Sequence, residues 1–411
     1  MKPKIVKNQD GTMRSLSNRH VQMIAIGGTI GTGLFLGSGS TISKTGPSVM
    51  LVYLILGLFF FFMMRAIGEM FYADPTQHTF VSFISRYLGP TIGHFTGWTY
   101  WIGLVFVCMA ELTATATYVQ YWLPSVPAWI IELVFLGILV SVNLIAARLF
   151  GEAEFWFAMI LTGVFMLINH SVTPLGHVSL TNISHDYTLF PHGIFNFIAA
   201  FPMVFFAFQG IEFVSITIGE AKSPHTVIKK AVNETLLRIL LFYIGALVVI
   251  MIIIPWTSLS ANSSPFVQVF KLAGFPAAAA TINFVVLTSA AIAFTASLVL
   301  ITPIMSLTTA ISSVFTIVTG VSSDMYIIVY TLTLVAHRRY RASTDFLPNG
   351  FIMPWYKITS PLTILFFGII FISLFFIPED IVGAVGAICW TLIFGGIEFL
   401  RQGKTNLNNT N

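Results

Sequence analysis

Gly27-Gly28-Thr29-Ile30-Gly31-Thr32-Gly33 sits inside the first apolar stretch of the chain, where its glycines loosen the backbone partway along a segment long enough to cross a bilayer. A second interruption, Phe208-Gln209-Gly210-Ile211-Glu212, falls in a later apolar stretch. Paired broken spans at matching places in two halves of a chain point to a solute-binding site near the membrane midplane.

Composition fixes the solvent around these segments. Of 411 residues, 56% are hydrophobic and 9% charged, and the mean hydropathy is +0.86. Such a chain is an integral membrane protein, and its spans must satisfy their own backbone hydrogen bonds as helices. Strand-period alternation is lacking, which excludes a barrel. Spans are predicted near 20–40, 47–66, 97–121, 127–147, 153–169, 193–217, 236–255, 277–306, 310–336, 358–377 and 381–400. The first is read as a retained span rather than a cleaved signal, because no small-residue cleavage site follows it. Cys108 and Cys389 lie within spans and are read as packing residues.

Basic residues fall in alternate loops. Lys2, Lys4, Lys7, Arg14 and Arg19 precede the first span. Arg65, Arg86, Arg148, Lys222, Lys229, Lys230, Arg238, Arg338, Arg339, Arg341, Lys357, Arg401 and Lys404 fall on that same side, and only Lys44 and Lys271 lie opposite. Both termini are therefore expected in the cytoplasm of a multi-pass cell-membrane protein. The positive charge follows from this bias and gives no sign of nucleic-acid binding. One region resists the rule: an odd number of crossings must separate Lys271 from Arg338, yet three spans of about 20 residues would leave nothing for turns.

Several runs resemble, in order, the amino-acid permeases of the amino acid–polyamine–organocation superfamily. They are Asn18-Arg19-His20 with Ile26 to Gly39, Gly46-Pro47, Met64-Arg65-Ala66-Ile67-Gly68-Glu69-Met70, Thr96-Gly97-Trp98-Thr99-Tyr100-Trp101 and Phe150 to Phe157. Phe208 to Glu212, Gly219 to Pro224 and Ile282 to Ala291 continue the set. The look is closest to permeases for D-serine, D-alanine and glycine. The resemblance implies an all-α membrane protein with a LeuT-like 5+5 inverted-repeat bundle, two C-terminal helices and about 11–12 crossings. On that plan 1–19 is a cytoplasmic tail, 20–170 the first repeat, 171–192 an external loop and 193–336 the second repeat. A cytoplasmic loop at 337–357, two last spans at 358–400 and a tail at 401–411 complete it. Two departures stand out: span five lacks a Lys and about nine apolar residues after Ile160, and some 35 residues are missing after Ala291, which fuses spans eight and nine.

The small-residue spacing of Gly27 and Gly31 is also that of close helix packing. Thr29 and Thr32, the second break and the family likeness favour binding instead. The expected substrate-binding set is Thr29, Ile30, Gly31, Thr32 and Gly33 with Phe206, Ala207, Phe208, Gln209 and Gly210. N–H groups where the first helix restarts suit a carboxylate, and carbonyls freed around Phe206 to Gln209 suit an ammonium. Phe206 and Phe208 are candidates for a lid. Glu212 and Glu111, carboxylates inside spans, are expected to carry a proton or gate the path; Thr113, Thr115 and Thr117 are the nearby hydroxyls for Glu111. Glu69, Glu152, Glu154 and Glu220 are read as helix-end ion pairs beside Arg65, Arg148 and Lys222. Trp98, Trp101, Trp122, Trp129, Trp256 and Trp355 are placed at the membrane interface.

No nucleophile–base pair, nucleotide loop or metal spacing is visible, so neither an enzyme nor a cofactor or metal is expected. The partners are an amino acid, protons and membrane lipid. The expected function is import of alanine, serine or glycine, including D-isomers, by proton-coupled alternating access; the alternative is a transport-defective paralogue or a substrate-binding sensor.

Overall fold

The computed structural model describes residues 6–7, 13–14, 21–22, 27–120, 123–145, 179–218, 221, 223–261, 263–272, 299–378 and 380–408. The shortened fifth span, the family motifs at 150–157 and 282–291, Glu152, Glu154, Glu220, Trp122 and most of the fused region lie outside them. Apart from a two-residue antiparallel pairing of Val6–Lys7 with Met13–Arg14, the described regular structure is helical.

The first apolar stretch is discontinuous. Residues 27–29 are helical, the helix stops at Ile30 and Gly31, and it restarts as α1 (Thr32–Phe35) and α2 (Gly37–Thr45). Gly46, with φ +55°, and Pro47 then separate α2 from the long α3 (Val49–Ala73). A short helix α4 (Phe80–Leu88) is capped by the Thr79 hydroxyl, which accepts from the Val81 N–H at 3.3 Å. Gly89 at φ +100° then turns the chain so that Pro90, which needs no N–H partner in a first turn, opens α5 (Pro90–Val119). Helix α6 (Ala128–Ile145) ends the described part of the first half.

The later half repeats the interruption. Helices α7 (Gly193–Ile198) and α8 (Phe201–Ala207) lead to a break at Phe208–Glu212, after which α9 (Phe213–Ile218) resumes. Pro224 opens α10 (Pro224–Ile253), about a dozen residues before the apolar core of that span begins. Short helices α11 (Pro265–Leu272) and α12 (Ile301–Ser306) precede the long α13 (Ile311–Arg341). Pro303 falls within the first turn of α12, and the turn over residues 307–310 separates that helix from α13. Helices α14 (Tyr356–Leu374) and α15 (Ile381–Asn408) close the chain.

Six described helical segments are long and apolar enough to cross a membrane. Their many hydroxyls are buried by donating to carbonyls one turn back, as Thr99 does to Phe95 at 2.8 Å and Thr333 to Val329 at 2.8 Å. Helix α13 runs through the centre of the bundle and packs against α3, α4, α5, α8, α14 and α15. Trp98 and Trp355 are exposed, whereas Trp256 is buried and donates its indole N–H to the His185 carbonyl at 3.1 Å.

Candidate binding site at the two helix breaks

The two interruptions meet. A side chain at Gly33 would stand 2.6 Å from the Ala207 Cα, and one at Gly210 would strike the Gly28 carbonyl. Glycine is required at both crossings because backbone touches backbone, and Gly210 also adopts φ +94°. Thr29, Ile30, Gly31, Thr32 and Gly33 thus lie beside Ala207, Phe208, Gln209 and Gly210.

Tyr243 of α10 ties the breaks together. Its buried hydroxyl lies 2.8 Å from the Thr29 carbonyl and 2.6 Å from that of Ala207. The carbonyls there are consequently less bare than the sequence implies: that of Phe206 accepts the Gln209 N–H at 3.1 Å, and that of Phe208 accepts from Ile211 at 3.4 Å. Each keeps a second lone pair.

The restart of the first helix already faces a carboxylate. Thr32 donates its N–H at 3.2 Å and its hydroxyl at 3.0 Å to Glu111 Oε1. Gly31 makes room for it, since a side chain there would lie 2.7 Å from the same oxygen. The threonines near Glu111 in sequence serve elsewhere: Thr113 donates to Met109, Thr115 to the Glu111 carbonyl and Thr117 to Thr113. The partner of the Glu111 carboxylate comes from another helix, 79 positions away.

Glu212 is fully buried and held three ways. Its Oε1 accepts from Tyr100 of α5 at 3.0 Å, and its Oε2 accepts from Tyr330 of α13 at 2.6 Å and the Gly210 N–H at 2.9 Å. Ser322 of α13 adds a link, its hydroxyl lying 2.8 Å from Gln209 Oε1. In that orientation the Gln209 amide nitrogen is buried with no acceptor among the described residues. Phe208 packs between Phe60 and Tyr243, with ring centroids 5.0 and 5.4 Å away, inside the aromatic core. Phe206 instead meets Phe315 edge-on at 6.5 Å. Phe315 lines a cavity of about 190 Å³ bounded also by Gly37, Lys44, Met203, Thr319 and Asp380.

At the opposite end of α13, Glu69 accepts from Arg341 at 2.7 Å and from the Met353 N–H at 2.7 Å, and His337 lies 3.1 Å away. Arg341 stacks between Phe346 and Tyr356. Arg65, the expected partner of Glu69, instead donates to Asn233 at 3.1 Å and to the Ile352 carbonyl.

Sequence reasoning missed Tyr243, Tyr330 and Ser322 and gave Tyr100 no role. A usable signal was present: a tyrosine inside an apolar span must find a partner for its hydroxyl within the protein.

The model of the amino acid permease family matches residues 20–306. The DL-alanine permease SerP2 of Lactococcus lactis subsp. cremoris is 43% identical, with 96% of each chain aligned. The serine permease SerP1 of the same organism is 42% identical over 95% of this chain and 98% of its own. The D-serine/D-alanine/glycine transporter of Escherichia coli is 46% identical over 68% of this chain and 61% of its own. The first alignment runs over 444 positions, more than the 411 residues here, so that relative carries residues with no counterpart in this chain. With 287 residues of family match and relatives that align over nearly their whole length, this chain belongs to the amino acid permease family, a family of membrane transporters and not of enzymes.

Proposed function

We propose that the chain imports small neutral amino acids, glycine together with alanine and serine in L- or D-form, by proton-coupled alternating access. The names of its relatives support the substrate class. The observation that carries the reading is the backbone contact of the two breaks, Gly33 on Ala207 and Gly28 beside Gly210. Such a crossing gathers polar peptide groups at a depth where regular helices offer none.

In this reading the substrate ammonium takes the second lone pairs of the Phe206 to Phe208 carbonyls. Its carboxylate takes the donors of Thr32 and the amide nitrogen of Gln209. Thr32 is held by Glu111, so substrate carboxylate and Glu111 compete for the same donors. A proton on Glu111 relieves the repulsion between the two, which links substrate entry to proton uptake. The tight crossing leaves room only for a small side chain, with Phe206 as the lid. Glu212, the second proton carrier in this reading, also locks the far side through Tyr100 and Tyr330, and the Glu69–Arg341–His337 group closes the end that the charge bias puts in the cytoplasm. The two halves, 20–170 and 193–336, act as the inverted repeats of a LeuT-like fold that rock about the breaks.

Purified chain in proteoliposomes tests this through uptake of labelled alanine, serine and glycine with and without an inward proton gradient. Gradient-stimulated accumulation is expected. Saturable binding with no uptake under any gradient would replace transport by the sensor reading.

A further inference from the structure

Asp324 lies 13 residues into α13, about 20 Å from its start and deep in the bundle. It is 0% exposed, and neither carboxylate oxygen has a hydrogen-bond partner among the described residues. A charge buried that way is costly unless something neutralises it. Asp380, just before α15, approaches the same stretch of α13 from the facing helix.

The two carboxylates are fitted to each other's helices. Asp380 lies over Gly320, where a side chain would sit 2.6 Å from its Oδ1, and Gly320 is one turn before Asp324 on the same face. Asp324 lies over Gly383, where a side chain would sit 3.0 Å from its Oδ2, and Gly383 is one turn after Asp380. Each acid therefore rests on backbone that a glycine in the opposite helix keeps clear. Asp380 and Gly320 also line the 190 Å³ cavity, in which Lys44 is the other charged lining residue. Asp380 lines that cavity, and Asp324 lies one helical turn beyond Gly320.

We propose that Asp324 and Asp380 together hold one proton, taken up from this cavity, as a proton-binding site separate from Glu212 and Glu111. One bound proton converts two crowded charges into an acid–carboxylate hydrogen bond. A calcium or magnesium ion takes six or more oxygen ligands. Hydroxyls on this stretch of α13 are turned to helix carbonyls, Thr319 to Phe315 at 2.8 Å and Ser323 to Thr319 at 2.9 Å. Among the described residues no group of three metal-ligating side chains forms. Ser322, two positions before Asp324, holds Gln209 of the second break. Loss of the proton thus has a short path to the binding site; that coupling step rests on the transport reading above, whereas the proton site stands on this geometry.

Infrared difference spectra of the purified full chain, titrated with pH in lipid, read the proton directly. The carboxylic-acid carbonyl band of the native chain is expected to lose the same component in Asp324→Asn and in Asp380→Asn, and to keep it in Glu212→Gln. Asp380 borders the cavity, so its variant decides the matter if Asp324→Asn does not fold. An unchanged band in folded Asp380→Asn overturns the proposal, as does removal of the native band by sodium ions at fixed pH. In proteoliposomes, Asp324→Asn is expected to keep exchange of labelled alanine while losing gradient-driven accumulation at least tenfold. Unaltered accumulation overturns the coupling role, and absence of all alanine uptake by the native chain refutes the transport reading but leaves the infrared result to judge the site.

Discussion

Gly33→Ala adds one methyl group at the point where the two breaks touch. That methyl would stand 2.6 Å from the Ala207 Cα and 2.9 Å from its N and Cβ. Carbon atoms settle at about 3.5–4.0 Å, so the broken helices must part by roughly 1 Å, and backbone on the far side leaves no flexible side chain to absorb the shift. Overpacking of this kind costs about 1–3 kcal/mol. If the strain falls on the assembled site, affinity for alanine weakens by about five- to 150-fold. Gly245→Ala is the matched control, since a methyl there meets nothing within 4 Å. Binding of labelled alanine to purified protein, with thermal unfolding measured in parallel, is the assay. A folded Gly33→Ala variant that binds within twofold of the native chain would refute the claim that this contact shapes the site.

Tyr243→Phe strips the hydroxyl from between the Thr29 and Ala207 carbonyls and is expected to cost about 1–3 kcal/mol, seen as a lower unfolding midpoint together with weaker alanine binding; an unchanged midpoint would mean that the bridge is idle. Glu212→Gln keeps the shape but turns one acceptor into a donor facing the Tyr330 hydroxyl, so proton stimulation of uptake should vanish while exchange persists. Retention of the full pH response rejects a proton role for Glu212. Glu69→Gln and Arg341→Gln should couple by at least about 1 kcal/mol in a double-mutant cycle, because breaking a buried pair strands its partner; additive losses would show independent residues. Burial opposes the charge of Asp74, but the Thr76 hydroxyl and N–H, the Gln77 amide and Arg86 outweigh it and hold the carboxyl below its ordinary range. A depressed acid stabilises the folded state above its unfolded pKa and loses that contribution as pH falls through the folded value. The midpoint difference between native chain and Asp74→Asn should therefore be full above about pH 4 and shrink below it; a difference that grows on acidification contradicts this sign.

What the sequence reveals here follows physical lines. Broken spans announce themselves through Gly27 to Gly33 and Gly210, because backbone freedom within apolar surroundings is a local property. Glu111 and Glu212 stand out for the same reason: a charge in a span is visible without knowing its neighbours. Partners are another matter. Thr32 meets Glu111 across 79 positions, Arg341 meets Glu69 across 272, and Tyr243 reaches Thr29 across 214. Each pairing depends on which helix faces share an interior, and periodicity in one span carries no such information. Asp380 illustrates the limit, since beside Pro378 it reads as a loop residue, and only the packing of α15 on α13 brings it to Asp324.

Ile30 is half-buried at the first break, where a thiol would sit inside the proposed site. With Cys108 and Cys389 replaced by alanine, the alkylation rate of Ile30→Cys, measured with and without L-alanine at a concentration that saturates uptake, tests whether an amino acid occupies the crossing of the two broken helices. Slowing by tenfold or more is predicted. An identical rate in both conditions would place the substrate elsewhere and contradict the assignment of the breaks as its site.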